Sequence, residues 1–359
     1  MDRVEKLLKA LTELPGISGQ EHEVAQFMEM ELKGIVEAKY DGLGSFIGIK
    51  KGKSERPRIM IAGHMDEIGF MVRGITKEGF IKFNTVGGWW EHQVLGQRVI
   101  IYTKKGPVYG VIGSESVHKL DPKEREKVIE FDKMFIDIGV TADTPDLPKK
   151  LGIRPGDPIV PASEFRILSN KKMYLAKAWD DRIGVAVVIE VLRELSKREH
   201  PNTVYGVGTV QEEVGLRGAT TSSFAVEPDI GFAVDVTIAG DFPGSKDAEI
   251  SEKCGAGPSL SVIDGSLIPN PRLRDFVIDV AEELKIPYQL GSLARGGTDG
   301  GRIQLARSGV PTMTLSIATR YIHTHQGILH RDDFDNLVKL LVEVIARLDK
   351  KAVDKIRYN

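Results

Sequence analysis

The stretch Arg58-Ile59-Met60-Ile61-Ala62-Gly63-His64-Met65-Asp66-Glu67 is an apolar run that stops on a histidine and two acids. Its first six residues read as a buried strand, and His64 falls just past the carboxyl end. The same arrangement recurs outward from it. Thr203 to Val210 is strand-like and is followed by Glu212-Glu213; Phe232-Ala233-Val234, within a strand-like Asp229 to Val234, is followed by Asp235; Pro311 to Ile317 is followed shortly by His323. Between these runs lie patterns of helical period, Ile183 to Leu195, Arg272 to Leu284 and Phe334 to Leu348, and Asp180-Asp181 stands ahead of the helix starting at Arg182. Alternating strands and helices predict an α/β domain, and ligand sites of open α/β sheets lie at the carboxyl edge of the strands.

Toward the amino terminus, Val4, Leu7, Leu8, Leu11 and Leu14 repeat at helical spacing up to Pro15-Gly16. A second helical pattern holds Val24, Phe27, Met28 and Leu32, ahead of a strand-like Ile35 to Tyr40. From about Ile68 to Phe165 the texture changes to short β-rich runs such as Arg98 to Tyr102 and Pro107 to Gly113, separated by glycines. The expectation is a catalytic domain made of residues 1–67 and 166–359, interrupted by a small β-rich domain at 68–165.

Composition narrows the function. The 359 residues carry 49 Lys+Arg against 51 Asp+Glu, a net charge of -2, and 41% are hydrophobic. That describes an ordinary globular chain with no field to hold a polyanion, so nucleic acid and anionic membrane surfaces are not expected as partners. No window reaches ~18 uninterrupted apolar residues, and the first residues, Met1-Asp2-Arg3-Val4-Glu5-Lys6, carry acids where a secretion signal is apolar. A cytoplasmic protein is expected. The single cysteine, Cys254, has no partner for an intrachain disulfide and reads as an inert buried thiol.

The chemistry lies in the acids and imidazoles gathered at one sheet edge. Six such groups in one crevice repel or desolvate each other unless a cation sits among them. Two histidines and three carboxylates suffice for two divalent ions if one carboxylate bridges, leaving open positions for water. Paired ions of this kind serve metal-assisted amide hydrolysis, with a further carboxylate as base.

Five segments appear in the order and approximate spacing of one family: Ala62-Gly63-His64-Met65-Asp66-Glu67-Ile68-Gly69, Trp179-Asp180-Asp181-Arg182-Ile183-Gly184, Gln211-Glu212-Glu213-Val214-Gly215-Leu216-Arg217-Gly218, Val234-Asp235-Val236 and Arg320-Tyr321-Ile322-His323. The chain resembles the dinuclear-metal aminopeptidases of the tetrahedral type, the glutamyl and deblocking aminopeptidases, from Gly16-Ile17-Ser18-Gly19 to the last helix. The resemblance implies a mixed-sheet, three-layer metallo-exopeptidase domain with a PDZ-like β insertion that makes dimer contacts, the dimers assembling into a hollow tetrahedral dodecamer. It implies that Asp180 bridges two divalent ions, zinc or cobalt, with His64 and Asp235 completing one site and Glu213 and His323 the other. Glu212 is then the general base acting on the bridging water, and Asp66 the acceptor that orients His64. The peptide bond between Asp180 and Asp181 is implied to be cis. The implied substrates are peptides with a free amino terminus.

Two places depart from the family pattern. Thr324-His325-Gln326-Gly327 puts a second imidazole beside His323, where relatives commonly have a small residue and proline, and Trp89-Trp90-Glu91-His92 is unusual after Val86-Gly87-Gly88. Other features read as structural: His22, His92, His118, His200 and His330 as surface or satisfied groups, Asp332-Asp333 as a solvated pair, and Gly16 to Gly19 as a turn between helices. The loop Arg295-Gly296-Gly297-Thr298-Asp299-Gly300-Gly301 lacks the preceding strand and the Lys-Ser or Lys-Thr pair of a phosphate loop and is expected to face substrate. No Gly-x-Ser-x-Gly elbow occurs. Two other hydrolases remain as alternatives: a deacylase using the same metal chemistry, and a glucan hydrolase, which needs two carboxylates ~5–9.5 Å apart and an aromatic platform that Trp89-Trp90 would have to imitate.

Overall fold

A computed structural model describes residues 1–245, 252–293 and 296–358. Its centre is four parallel strands, β1 (Arg58–His64), β2 (Thr203–Thr209), β3 (Ile230–Ile238) and β4 (Thr312–Arg320), lying side by side in the order β2-β1-β3-β4. Antiparallel strands extend both edges to an 11-stranded mixed sheet. Phe46–Lys50 and Glu37–Tyr40 continue beyond β2, while Gly327–His330, Met173–Ala176 and Arg166–Ile167 continue beyond β4.

The apolar run of β1 is continuous because both of its faces are covered. Ile59 and Ile61 point into one apolar cluster with helices α1 (Trp179–Leu195), α2 (Pro271–Glu283) and α3 (Arg331–Arg347). Met60 and Ala62, one residue out of step, point into the other cluster with Ala219 and Val226 of the helix Arg217–Val226 and Ile303 of Gly300–Ile303. Period-two alternation therefore gives three layers, helices on both faces of a sheet. The strand ends predicted from sequence agree within a few residues except at β3. Its ladder with β1 stops at Ala233, whereas its ladder with β4 runs on to Ile238. Asp235 thus lies inside a strand, on the stretch where β3 no longer pairs with β1 but still pairs with β4.

Local rules explain several termini. Asp2 accepts the Glu5 amide while Glu5 reaches back to the Asp2 amide, so the first helix, Arg3–Glu13, starts on a capping box. The His330 ring accepts the Asp332 amide at the start of α3. Asp333, read from sequence as half of a solvated pair, is instead fully buried, because its carboxylate accepts the amides of Gly255 and Gly257 at 2.7 and 2.8 Å. At the other end of the molecule, His200 is buried and its Nδ1 lies 2.9 Å from the Asn202 carbonyl.

Between β1 and α1 the chain builds a closed barrel of six antiparallel strands, in the order Gly69–Ile75, Ile81–Val86, Phe135–Asp137, Gly106–Gly113, Arg98–Thr103, Pro158–Pro161. It has an apolar core of its own, including Phe70, Phe83, Val99, Ile101 and Ile136. Among the described residues, no helix is long and apolar enough to cross a membrane.

Arg182, in the first turns of α1, is fully buried. Its guanidinium donates to the carbonyls of Met65 (2.7 Å), Leu11 (2.7 Å), Leu14 (3.1 Å) and Gly16 (3.3 Å), fastening the chain on either side of β1. Removing the cation strands those carbonyls in an apolar interior. Arg182→Met is expected to destabilise the protein by roughly 3–5 kcal/mol, read as a lowered melting temperature. An unchanged melting temperature would show that the carbonyls find other donors.

Candidate active site

The site begins with a backbone contact. A Cβ on Gly63 would stand 2.5 Å from the Gly184 carbonyl carbon, so only glycine lets the end of β1 press against α1. That approach brings the Asp181 carboxylate to the amides of His64 (3.0 Å) and Gly184 (2.9 Å). The peptide between Asp180 and Asp181 is cis, and both residues depart from helical φ/ψ, so regular helix starts at Arg182 as the sequence predicted. Asp181 serves the backbone, and Asp180 is the residue turned toward the histidines.

Each Asp180 oxygen meets a different imidazole. Oδ1 is 2.9 Å from His64 Nε2, and Oδ2 is 3.3 Å from His323 Nε2. His323, in the loop after β4, also places Nε2 3.4 Å from Glu213 Oε1. Donor atoms of His64, Asp180 and Glu213 lie within 4.8 Å of each other, as do those of His64, Asp181 and Asp235. The sequence-selected residues His64, Asp180, Glu212, Glu213, Asp235 and His323 thus share one crevice, although they come from five separate segments.

Asp66 organises the next layer. Its carboxylate accepts the Ser18 hydroxyl (2.6 Å) and the amides of Glu212 (3.0 Å) and Glu213 (3.1 Å), thereby fixing the loop that carries both glutamates. His64 Nδ1 is nearer to the Asp66 carbonyl, at 3.0 Å, than to the Asp66 carboxylate, at 3.5 Å. The turn Gly16 to Gly19 does link two helices, and through Ser18 it also reaches this centre.

Most carboxylates of the site are pushed up, and Asp180 alone of the proposed ligands is held down. Burial, reinforced by Asp180, pushes Glu213 up to about 8 and Asp235 well above the carboxylate range. Burial also raises Glu212, with Asp235, Asp299 and Glu213 adding to it against His64. His323 is lowered by burial but raised more by Asp180 and Glu213, reaching about 9. Desolvation opposes ionisation of the half-buried Asp180, yet His323 and His64 hold it well below its usual value. Glu213 Oε1 is buried without a hydrogen-bond donor. Cations among these oxygens and nitrogens would remove the repulsion and occupy the unpartnered oxygen, so the donor set fits divalent ions with mixed imidazole and carboxylate ligands.

Sequence reasoning missed the weight of Asp299. It is buried, its Oδ2 accepts the Thr209 hydroxyl at 2.5 Å, its Oδ1 has no donor, and burial raises it to about 6. Its position in a glycine-dense loop was the available signal; Arg295 of that loop lies outside the described residues. His325 is buried, with burial pushing it down to about 4, and neither ring nitrogen has a protein partner. Trp89 and Trp90 form no common platform, since Trp89 stacks on Phe70 while Trp90 is 57% exposed against His92. Cys254 donates to the Ala318 carbonyl, and burial pushes its thiol up to about 12. A thiol so hard to ionise is no nucleophile.

Comparison with known proteins agrees with this geometry. Residues 44–340 match the M42 glutamyl aminopeptidase family. The chain belongs to that family. A TET aminopeptidase from the marine sediment archaeon Thaumarchaeota archaeon SCGC AB-539-E09 is 46% identical, with 99% of each chain covered and a TM-score of 0.97. The lysyl aminopeptidase of Pyrococcus furiosus is 37% identical over 96% of this chain and 97% of its own. A Pyrococcus horikoshii TET peptidase, described as assembling into a tetrahedron or a large octahedral shell, is 34% identical, covered over 96% of this chain and 100% of its own, with a TM-score of 0.85. As an M42 member of TET type, this chain is an aminopeptidase, a hydrolase of peptide bonds. Relatives of similar identity bear different substrate names, so the family leaves the preferred first residue open.

Proposed function

We propose that this aminopeptidase works with two divalent ions, zinc or cobalt, and releases residues one at a time from peptides with a free amino terminus. Asp180, His64 and Asp235 would hold one ion and Asp180, Glu213 and His323 the other, with Asp180 shared between them. The observation that carries this reading is the pair of imidazoles on the two oxygens of Asp180, at 2.9 and 3.3 Å, which sets one imidazole beside each oxygen of the carboxylate that two ions would share.

Ions held there would supply Lewis acidity for the scissile carbonyl and for the attacking water. The protein supplies the proton handling. Glu212 is buried, lies 3.8 Å from His64 Nε2, and is tied through its amide to Asp66. Its carboxylate takes the proton of the attacking water and returns it to the leaving amine.

The same reading assigns residues 1–67 and 166–359 to the catalytic domain and 68–165 to a PDZ-like dimerisation domain. Dimers then assemble into a tetrahedral dodecamer in the cytoplasm, consistent with the shells described for the Pyrococcus horikoshii relative. An unblocked peptide, its acetylated form and a form blocked at the carboxyl terminus provide the test. Release of the first residue is expected from the unblocked and carboxyl-blocked peptides only. Chelation should abolish the activity, and cobalt or zinc should restore it. Equal cleavage of the acetylated peptide would instead favour a deacylase.

A further inference from the structure

The turn Gly87-Gly88-Trp89 leaves the barrel strand Ile81–Val86 and touches the centre directly. At Gly87, where φ is +78°, a Cβ would come within 3.2 Å of Glu213 Oε2 and 2.5 Å of an Ile68 methyl; at Gly88 it would lie 3.0 Å from His323 Nδ1. Backbone without side chains is what fits there. The Gly88 carbonyl is 2.9 Å from His323 Nδ1. A carbonyl only accepts, so Nδ1 carries a proton, and in the neutral ring the lone pair of Nε2 is turned toward Asp180 and Glu213.

His323 needs such support. It and Tyr321 sit in the left-handed region, with φ of 59° and 61°, and the surrounding structure has to maintain that. The turn is in turn clasped by one side chain. Trp89 donates Nε1 to the Gly69 carbonyl at 2.9 Å, stacks on Phe70 of the barrel core with ring centroids 4.7 Å apart, and meets the His325 ring at 5.1 Å. His325 is therefore packed against the wall of the site, two residues from a ligand, with no protein partner on either nitrogen.

Resting on the two-ion reading above, we propose that the barrel contributes the positioning wall of the Glu213/His323 ion site. Gly88 orients His323, Trp89 holds the turn in place, and His325 acts as a flat packing ring against Trp89 rather than as a ligand. The barrel then has a role at the chemistry besides any role in assembly, and Trp89 and His325 are positioning residues for one ion of the pair.

The test titrates metal-free wild type, W89A, W89F, H325A and H325F with cobalt by calorimetry, alongside the metal-free melting temperature and kcat and KM at several cobalt concentrations. Wild type is expected to take up two ions per chain. W89A and H325A should weaken one of the two sites about 10–100-fold and leave the other unchanged. Their kcat should fall at limiting cobalt and recover at excess, with KM little changed, while H325F should retain both sites and W89F, which keeps the stack on Phe70 but loses the bond to the Gly69 carbonyl, should fall between wild type and W89A. W89A that weakens both sites alike, or neither, overturns the proposal, and so does a general loss of melting temperature without site selectivity. An H325F protein that takes up only one ion makes His325 a ligand and overturns its packing role. Wild type that takes up fewer than two ions brings down the two-ion reading itself, and this proposal with it.

Discussion

Glu212→Gln is expected to take up both ions with wild-type affinity and to lose about 10²–10⁴-fold in kcat, the usual worth of a positioned general base. Several observations isolate this side chain from the ligand set. Among the described residues, the two donor clusters compact enough to hold an ion contain His64, Asp180, Asp181, Glu213 and Asp235; Glu212 is outside them, as is His323, which reaches the centre through Asp180 and Glu213. Its fixed position comes from the backbone, since the amide of residue 212 donates to Asp66 whatever side chain follows. Glutamine preserves volume and polarity and removes only the capacity to accept and return a proton. KM should change little, because no substrate contact is deleted. Metal content and kcat are measured on the same preparation; a kcat within tenfold of wild type at full metal occupancy would remove Glu212 from the base role.

That separation of ligand from base is also a statement about charge. Glu212 and Glu213 are neighbours in sequence, and both are raised by burial, yet only Glu213 faces the His323 ring at 3.4 Å. The different tasks proposed for them would come from the loop that Asp66 holds by two consecutive amides, which aims successive side chains differently.

Much of this arrangement was visible in the sequence because the sheet writes itself there. Central strands covered on both faces are uninterrupted apolar runs, so the residue that ends each run marks the sheet's edge, and His64 and Glu212-Glu213 fell out of that rule. Asp235 was found for a slightly wrong reason. It does not end its strand; it lies where the ladder between β1 and β3 has stopped and β3 continues along β4, and ladder lengths are set by partners far apart in the chain.

The strands Ser259–Asp264 and Gln289–Leu293 escaped altogether. Their serines and glycine lack the apolar signal, and they exist as strands because Ser259–Asp264 pairs with β4 and in turn carries Gln289–Leu293. Asp333 shows the opposite error: a pair of adjacent acids looks solvated, and only the approach of the Gly255 and Gly257 amides, 76 to 78 residues away, makes burial of one of them favourable. The clasp on Trp89 was equally illegible, since a tryptophan in sequence does not say which of its neighbours it will stack upon.

Asp180→Asn should behave unlike Glu212→Gln in every respect. Among the described residues, Asp180 is the one carboxylate whose two oxygens meet both imidazoles, and those partners keep it ionised although it is half-buried. An amide in its place offers one neutral oxygen and a nitrogen that repels cations, so neither ion retains a shared anionic ligand. Uptake is expected to fall from two ions to at most one weakly held ion, and kcat/KM to drop by more than about 10⁴-fold, beyond the loss of a base alone because Lewis acidity and base action vanish together. Excess cobalt or zinc should not restore the rate, since what is missing is the bridge and not the supply of metal. Asp235→Asn and His323→Ala, which each serve one proposed ion, should instead weaken a single site and recover partly at high metal concentration. If Asp180→Asn still took up two ions at wild-type affinity, the bridge would have to be another carboxylate, and Asp181, within 4.8 Å of both His64 and Asp235, would be the first to examine.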